Sequence, residues 1–258
     1  MELNFKEFGQ GEPVVILHGL FGMLDNWQSI AKKLAEHFTV YILDLRNHGK
    51  SPHSEEFNYD ILAADVQHFM ESHWMYDGAH LIGHSMGGKT AMHFALRNPD
   101  LATTLTVVDI APRAYNGGHE AYFEAMLALN LESTKNRKEA EAFLAERIYN
   151  KAELQFILKN LSRDDETDEF FEWKLNLRSL HRNYPLIMGG VGAAGETFDK
   201  RTLFIRGGNS KYLQDDDMDL IKIKFPRAEF FTVPDAGHWV HAEAPALFTK
   251  TVLDFLLK

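Results

Sequence analysis

The chain has 258 residues, 45% hydrophobic and 25% charged, which suits one α/β core with or without an inserted subdomain. Its 37 acidic and 27 basic residues give a net charge of −10, which disfavours nucleic acid or an anionic membrane surface as a partner. With no cysteine, disulfides, thiolate chemistry and cysteine-held zinc are excluded.

The N-terminus, Met1-Glu2-Leu3-Asn4-Phe5-Lys6-Glu7, has no basic segment leading into an apolar one. No apolar stretch approaches the length of a membrane span. A cytoplasmic protein without membrane insertion is expected.

In chain order, Pro13 to His18, Thr39 to Asp44, Ala79 to Gly83 and Thr104 to Asp109 read as buried strands. Their continuous apolar runs suggest coverage on both faces, hence a parallel sheet. Helical patterns at Trp27 to His37 and Tyr59 to His73 lie between them. Beyond Arg113 the rhythm breaks. Helical patterns follow at Glu120 to Asn130, Lys138 to Ile148, Ala152 to Leu161 and Phe170 to Leu180, with no convincing strand. This stretch also holds the acidic run Asp164-Asp165-Glu166 and a Gly-rich segment, Gly189 to Gly195, which reads as a return hinge or a plain loop. Strands then resume at Thr202 to Arg206 and Ala228 to Val233, and Ala246 to Leu257 closes the chain as a helix. The expected organisation is a core of residues 1–112 and 200–258 with a helical insert at 113–199.

The strongest chemical signal is Gly83-His84-Ser85-Met86-Gly87, which falls between a strand and a helix. A serine on such a turn presents its Oγ above the sheet, beside a helix N-terminus that offers free N–H groups. Attack on a carbonyl needs this pairing of nucleophile and oxyanion site. A serine also needs a base. Sites in open parallel sheets form beyond the carboxyl ends of the strands. Among 13 histidines, that favours His238, in Pro234-Asp235-Ala236-Gly237-His238-Trp239 after the last strand. Asp109 ends a strand and is the expected orienting acid, and the order Ser85, Asp109, His238 is that of one hydrolase class. Asp215, Asp216 and Asp217 are the competing acids, and Asp44 also ends a strand. The oxyanion donors are expected at the N–H of Met86 and of Leu20, in His18-Gly19-Leu20-Phe21-Gly22.

Together with Asp44 to Ser51, Gly207-Gly208-Asn209-Ser210 and Ala236 to Glu243, these motifs resemble the α/β-hydrolase superfamily. Within it they are most similar to the YbfF-type bacterial esterases, which are related to a eukaryotic abhydrolase. The resemblance runs nearly end to end and is weakest in the insert. It implies a mostly parallel eight-stranded sheet, a helical cap and hydrolysis of short-to-medium acyl esters or thioesters, with acyl-CoA among them. It implies no cofactor and no metal, and a small-molecule substrate acted on by a monomer or homodimer. The family's nucleophile, histidine and acid fall on Ser85, His238 and Asp109. Some relatives carry an acid in an Asn-Leu-Asp segment of the cap. Here Asn176-Leu177-Arg178 cannot supply it. The turn from Asp44 to Ser51 reads as structural.

Phe21, Met23 and Trp239, with Trp27, Met86, Tyr122, Phe123, Met126 and Trp173, are candidates for an apolar acyl pocket. Acyl-CoA would need Arg113, Lys174 and Arg178 to cluster near it. The same triad serves lactonases and carbon–carbon bond hydrolases, and the fold also serves non-catalytic small-molecule binding.

Overall fold

The computed structural model describes residues 1–163 and 170–258. The main sheet contains β1 (Phe5–Phe8), β2 (Pro13–Leu17), β3 (Thr39–Leu43), β4 (Ala79–His84), β5 (Ala102–Val108), β8 (Thr202–Gly207) and β9 (Ala228–Val233). A separate two-stranded hairpin is formed by β6 (Leu161–Arg163) and β7 (Phe171–Trp173). Strand order in the main sheet is β1-β3-β2-β4-β5-β8-β9. All neighbours are parallel except β1, which runs antiparallel to β3 at the edge.

Helices α1 (Gln28–Leu34), α2 (Tyr59–Ser72) and α3 (Met86–Arg97) follow β2, β3 and β4. Between β5 and β8 come α4 (Glu120–Ala128), α5 (Arg137–Ala145), α6 (Lys151–Leu158), α7 (Leu177–Arg182) and α8 (Tyr184–Met188). The chain finishes with α9 (Met218–Lys224), α10 (Val240–Glu243) and α11 (Pro245–Leu256).

Alternation along the buried strands builds two cores. Val14 and Ile16 of β2 join Val40, Ile42 and Ile205 beneath α1 and α11. Val15 and Leu17 join Leu81, Leu105 and Val107 beneath α2 and α3. Every residue of β4 is buried, His80 and His84 included, as fits a strand covered on both faces.

Three expectations change. The sheet has seven strands among the described residues rather than eight. The residues ahead of β1 are spent on ties instead: the Met1 ammonium meets Asp65 at 3.2 Å, and Asn4 donates to Asp44 at 2.7 Å. The insert is not all helical, because β6 and β7 pair. The helix expected over Phe170 to Leu180 is divided: Phe171–Trp173 is strand β7, and helix begins only at Leu177, where the Asn176 side chain caps it by accepting the Ser179 N–H. The acidic run Asp164-Asp165-Glu166 lies outside the described residues. The Gly189 to Gly195 segment is fastened to the core: Lys224 Nζ donates to the Gly192 and Ala193 carbonyls, both at 2.9 Å.

Strand register places the site. Leu17 lies opposite Gly83, His84 opposite Val108, and Val108 opposite Ile205. The residues just beyond these pairs therefore converge at one edge. The chain runs from β2 outward to β3 on one side and returns to β4 on the other. Such a reversal opens a crevice at the strands' carboxyl ends.

Candidate active site

Ser85 follows β4 directly and precedes α3, with φ 52° and ψ −118°. That strained left-handed conformation is held at both ends. Its N–H donates to the Val108 carbonyl and its own carbonyl accepts from Lys89 N–H, both at 3.0 Å. The flanking glycines are required by close approach. A Cβ on Gly83 would sit 2.2 Å from the Gly87 carbonyl oxygen, and one on Gly87 would sit 2.4 Å from that of Leu17.

The loop after β2 lies against this turn. A Cβ built on Gly19 would be 3.2 Å from Ser85 Cβ. Gly22 N–H donates to the Gly19 carbonyl at 2.9 Å, closing the turn around Leu20 and Phe21. His18 braces it from below. Its Nε2 accepts the Leu45 N–H at 3.0 Å, so Nδ1 carries the proton and donates to the Gly19 carbonyl at 2.8 Å. Burial lowers His18 to about 4, so the brace is neutral at pH 7. Asn160, from the insert, donates to the Phe21 carbonyl at 2.8 Å. Met86 opens α3, where the first N–H groups lack helical acceptors.

Asp109 is the first residue past β5, fully buried and at φ 53°. Its Oδ1 accepts the Gly207 N–H at 3.0 Å, and its Oδ2 accepts the Ser210 hydroxyl. The same Oδ2 lies 2.7 Å from His238 Nδ1. Burial raises the Asp109 carboxyl against the lowering effect of the Ser210 and Gly207 hydrogen bonds. Burial also holds His238 below the ordinary imidazole range, with repulsion from His119 adding to it. A neutral imidazole facing a carboxylate carries its proton on Nδ1, which leaves the Nε2 lone pair as the base.

The His238 loop is clasped on three sides. Glu243 accepts the Gly237 N–H at 2.7 Å and the Trp239 N–H at 3.1 Å. His84 Nε2–H donates to the His238 carbonyl at 2.9 Å. The Tyr212 ring stacks on the imidazole at 3.8 Å and 22°. Tyr115 in turn accepts the Ala111 N–H and donates to the Tyr212 carbonyl.

Ser85 and His238 open onto a cavity of about 360 Å³, within the size range of small-molecule sites. Leu20, Phe21, Trp27, Tyr122 and Trp239 are on its walls. Met86 lines a second, smaller space that also touches Ser85. Met23 does not reach the cavity. It is buried where its N–H donates to Asn26 Oδ1 as the chain turns towards α1. Phe123 and Met126 are core residues of α4, and Trp173 lies on β7 away from the walls. Two of the three competing acids after β8 are engaged elsewhere: Asp215 pairs with Arg206 and Asp217 with Arg113, both at 2.6 Å. Asp44 is structural, accepting the Leu24 and Lys50 N–H groups at 2.7 and 2.9 Å. The sequence motifs do not point to Ser210, Tyr212 or Glu243 as site residues. The position of Ser210, just past β8, was the one available signal.

The family described as alpha/beta hydrolase fold matches residues 12–245. The "sn-1-specific diacylglycerol lipase ABHD11" of Mus musculus is 38% identical, over 94% of this chain and 80% of its own length. "Esterase YbfF" of Escherichia coli is 34% identical, over 95% of this chain and 92% of its own. Among solved structures, "Marine microorganism esterase" superposes with a TM-score of 0.95 at 41% identity, covering 98% of this chain and 99% of that one. No helix among the described residues is long and apolar enough to cross a membrane. With its motifs, strand order and relatives in agreement, the chain belongs to the α/β-hydrolase family.

Proposed function

We propose that the protein hydrolyses carboxylic esters through Ser85, with His238 as general base and Asp109 as its orienting acid. The observation that carries this reading is the 2.7 Å contact between Asp109 Oδ2 and His238 Nδ1, with His238 and Ser85 facing one cavity. The names of its esterase and lipase relatives point to the same bond class.

In the first step His238 Nε2 takes the Ser85 proton as Oγ attacks the ester carbonyl. The N–H groups of Leu20 and Met86 receive the resulting oxyanion. His238 then protonates the leaving alcohol, and a water repeats the sequence on the acyl-enzyme. Thioesters follow the same course with a thiol leaving. Asp109 keeps the imidazole in the Nδ1–H tautomer and stabilises the imidazolium. No step needs a metal or cofactor.

Residues 113–199 act as a cap. His119, Tyr122, Glu153 and Phe156 from this segment line the cavity, so leaving-group selection resides there. A steady-state assay with p-nitrophenyl acetate tests the reading. Ser85→Ala is expected to lose nearly all turnover while keeping its melting temperature. Retention of a substantial share of the activity would refute the assignment.

A further inference from the structure

Two spaces meet at Ser85, and they differ greatly in size. The larger measures about 360 Å³. The smaller measures about 20 Å³, and Met86, Lys89, Ile110, Tyr115, Ile187 and Met188 are among the residues that line it. Ser85, Leu20, His119 and Tyr212 border both, whereas His238 borders only the larger one.

Resting on the ester-hydrolase reading above, we propose that the site divides its substrate unequally: an acetyl-sized acyl group enters the small chamber, and a bulky leaving group without negative charge fills the large cavity.

The orientation follows from proton transfer. His238 must reach the leaving oxygen to protonate it. The leaving group therefore lies on the side that His238 borders. The carbonyl oxygen is directed to the Leu20 and Met86 amides. The remaining substituent, the acyl chain, is left with the Met86 side of the serine, which is the small chamber.

The chamber's size limits that chain. A space of about 20 Å³ accepts a group little larger than one water, such as a methyl. Its far wall is fastened. Lys89 Nζ donates to the Gly189 carbonyl and, at 3.4 Å, to that of Met188, and it sits 4.7 Å over the Tyr115 ring. A longer acyl chain must break this tie between α3 and the segment after α8 or go unaccommodated.

Charge limits the leaving group. The charged side chains on the large cavity are Glu153 and Glu243, and no Lys or Arg lines it among the described residues. Arg113, a basic residue that could have served an anion, is paired with Asp217 at 2.6 Å. Phe156 and Trp239 pack together at 5.4 Å on the wall, a surface suited to an apolar alcohol. A polyanionic carrier thiol finds no cation there.

The test varies the two halves of the substrate separately. A p-nitrophenyl series from acetate to octanoate fixes the leaving group; acetates of alcohols of increasing size fix the acyl group. From acetate to hexanoate kcat/KM should fall about tenfold or more, the cost of overpacking a fastened wall. Among the acetates, bulky apolar alcohols should match or exceed ethyl acetate. Met188→Ala should raise the hexanoate-to-acetate ratio about tenfold and leave the ranking of alcohols intact, whereas Trp239→Ala should alter the alcohol ranking and leave the acyl ratio intact. Equal or faster hexanoate hydrolysis by the wild type would overturn the division. So would acetyl-CoA hydrolysed faster than S-ethyl thioacetate. If Ser85 reacts with a fluorophosphonate while long acyl chains are preferred, the division alone fails. If no ester is hydrolysed and Ser85 stays unlabelled, the ester-hydrolase reading fails with it.

Discussion

Asp109 Oδ2 and His238 Nδ1 stand 2.7 Å apart across 129 residues of sequence. Asp109 is the first residue past β5, whereas His238 lies in the loop between β9 and α10 that Glu243 and His84 hold in place, so the contact rests on strand register at one end and on a clasped loop at the other. Asp109 is itself held by Gly207 N–H and the Ser210 hydroxyl, and these donors offset part of the burial that raises its carboxyl to about 7. Asp109→Asn keeps the shape but offers an amide N–H to Nδ1, which favours the other tautomer. Turnover of p-nitrophenyl acetate should fall about four orders of magnitude, as when the triad acid of a serine protease is changed to Asn. A loss below tenfold would remove Asp109 from its role.

Ser210→Ala tests the support of that carboxylate. The Ser210 hydrogen bond lowers the Asp109 pKa, so its loss should raise it. Activity needs the carboxylate, so the acid limb of kcat/KM should move to higher pH. A lost hydrogen bond to a charged group is worth about 2 kcal/mol, so turnover at pH 7 should fall about tenfold or more. A uniform drop with an unmoved pH profile would make Ser210 merely structural.

Gly19→Ala tests the loop that faces Ser85. The added Cβ would lie 2.9 Å from His84 Nδ1 and 3.2 Å from Ser85 Cβ, so the loop must shift. Displacing a preorganised donor by a fraction of an ångström costs about 10- to 100-fold in kcat. KM for a small ester should change little. Wild-type kcat would show that this loop contributes no oxyanion donor.

Acid should destabilise the fold through its buried imidazoles. Burial lowers His18 to about 4 and His48 to about 3. Such groups bind protons in the unfolded chain before they do in the folded one. Stability is therefore full above pH 6.5 and falls as pH drops towards the folded values. At pH 5 the two together should cost about 4 kcal/mol. Urea titrations at pH 7.5 and pH 5 measure this, and equal midpoints would contradict it.

The sequence made Ser85 legible because strand, glycine-flanked turn and helix are contiguous. Asp109 was legible because it directly follows a strand, and His238 because it lies in the short loop after the last one. The β6–β7 hairpin was not. Phe170, Trp173, Leu177 and Leu180 recur at helical spacing, yet Phe171–Trp173 pairs with Leu161–Arg163, and three-residue strands are too short to display alternation. The Tyr212 stack depends on how the segments after β8 and β9 fold over one another, which no local pattern records. Met23 looked equivalent to Phe21 by proximity, but Phe21 adopts φ 60° and the turn sends the two side chains to different places.

The most direct test of the central claim is a serine-reactive fluorophosphonate, followed by intact and peptide mass measurement, with Ser85→Ala as control. One adduct per chain, on Ser85 and absent from the variant, is the predicted result. A folded wild-type protein that takes no adduct, or takes it at another serine, would contradict the assignment of Ser85 as the activated nucleophile.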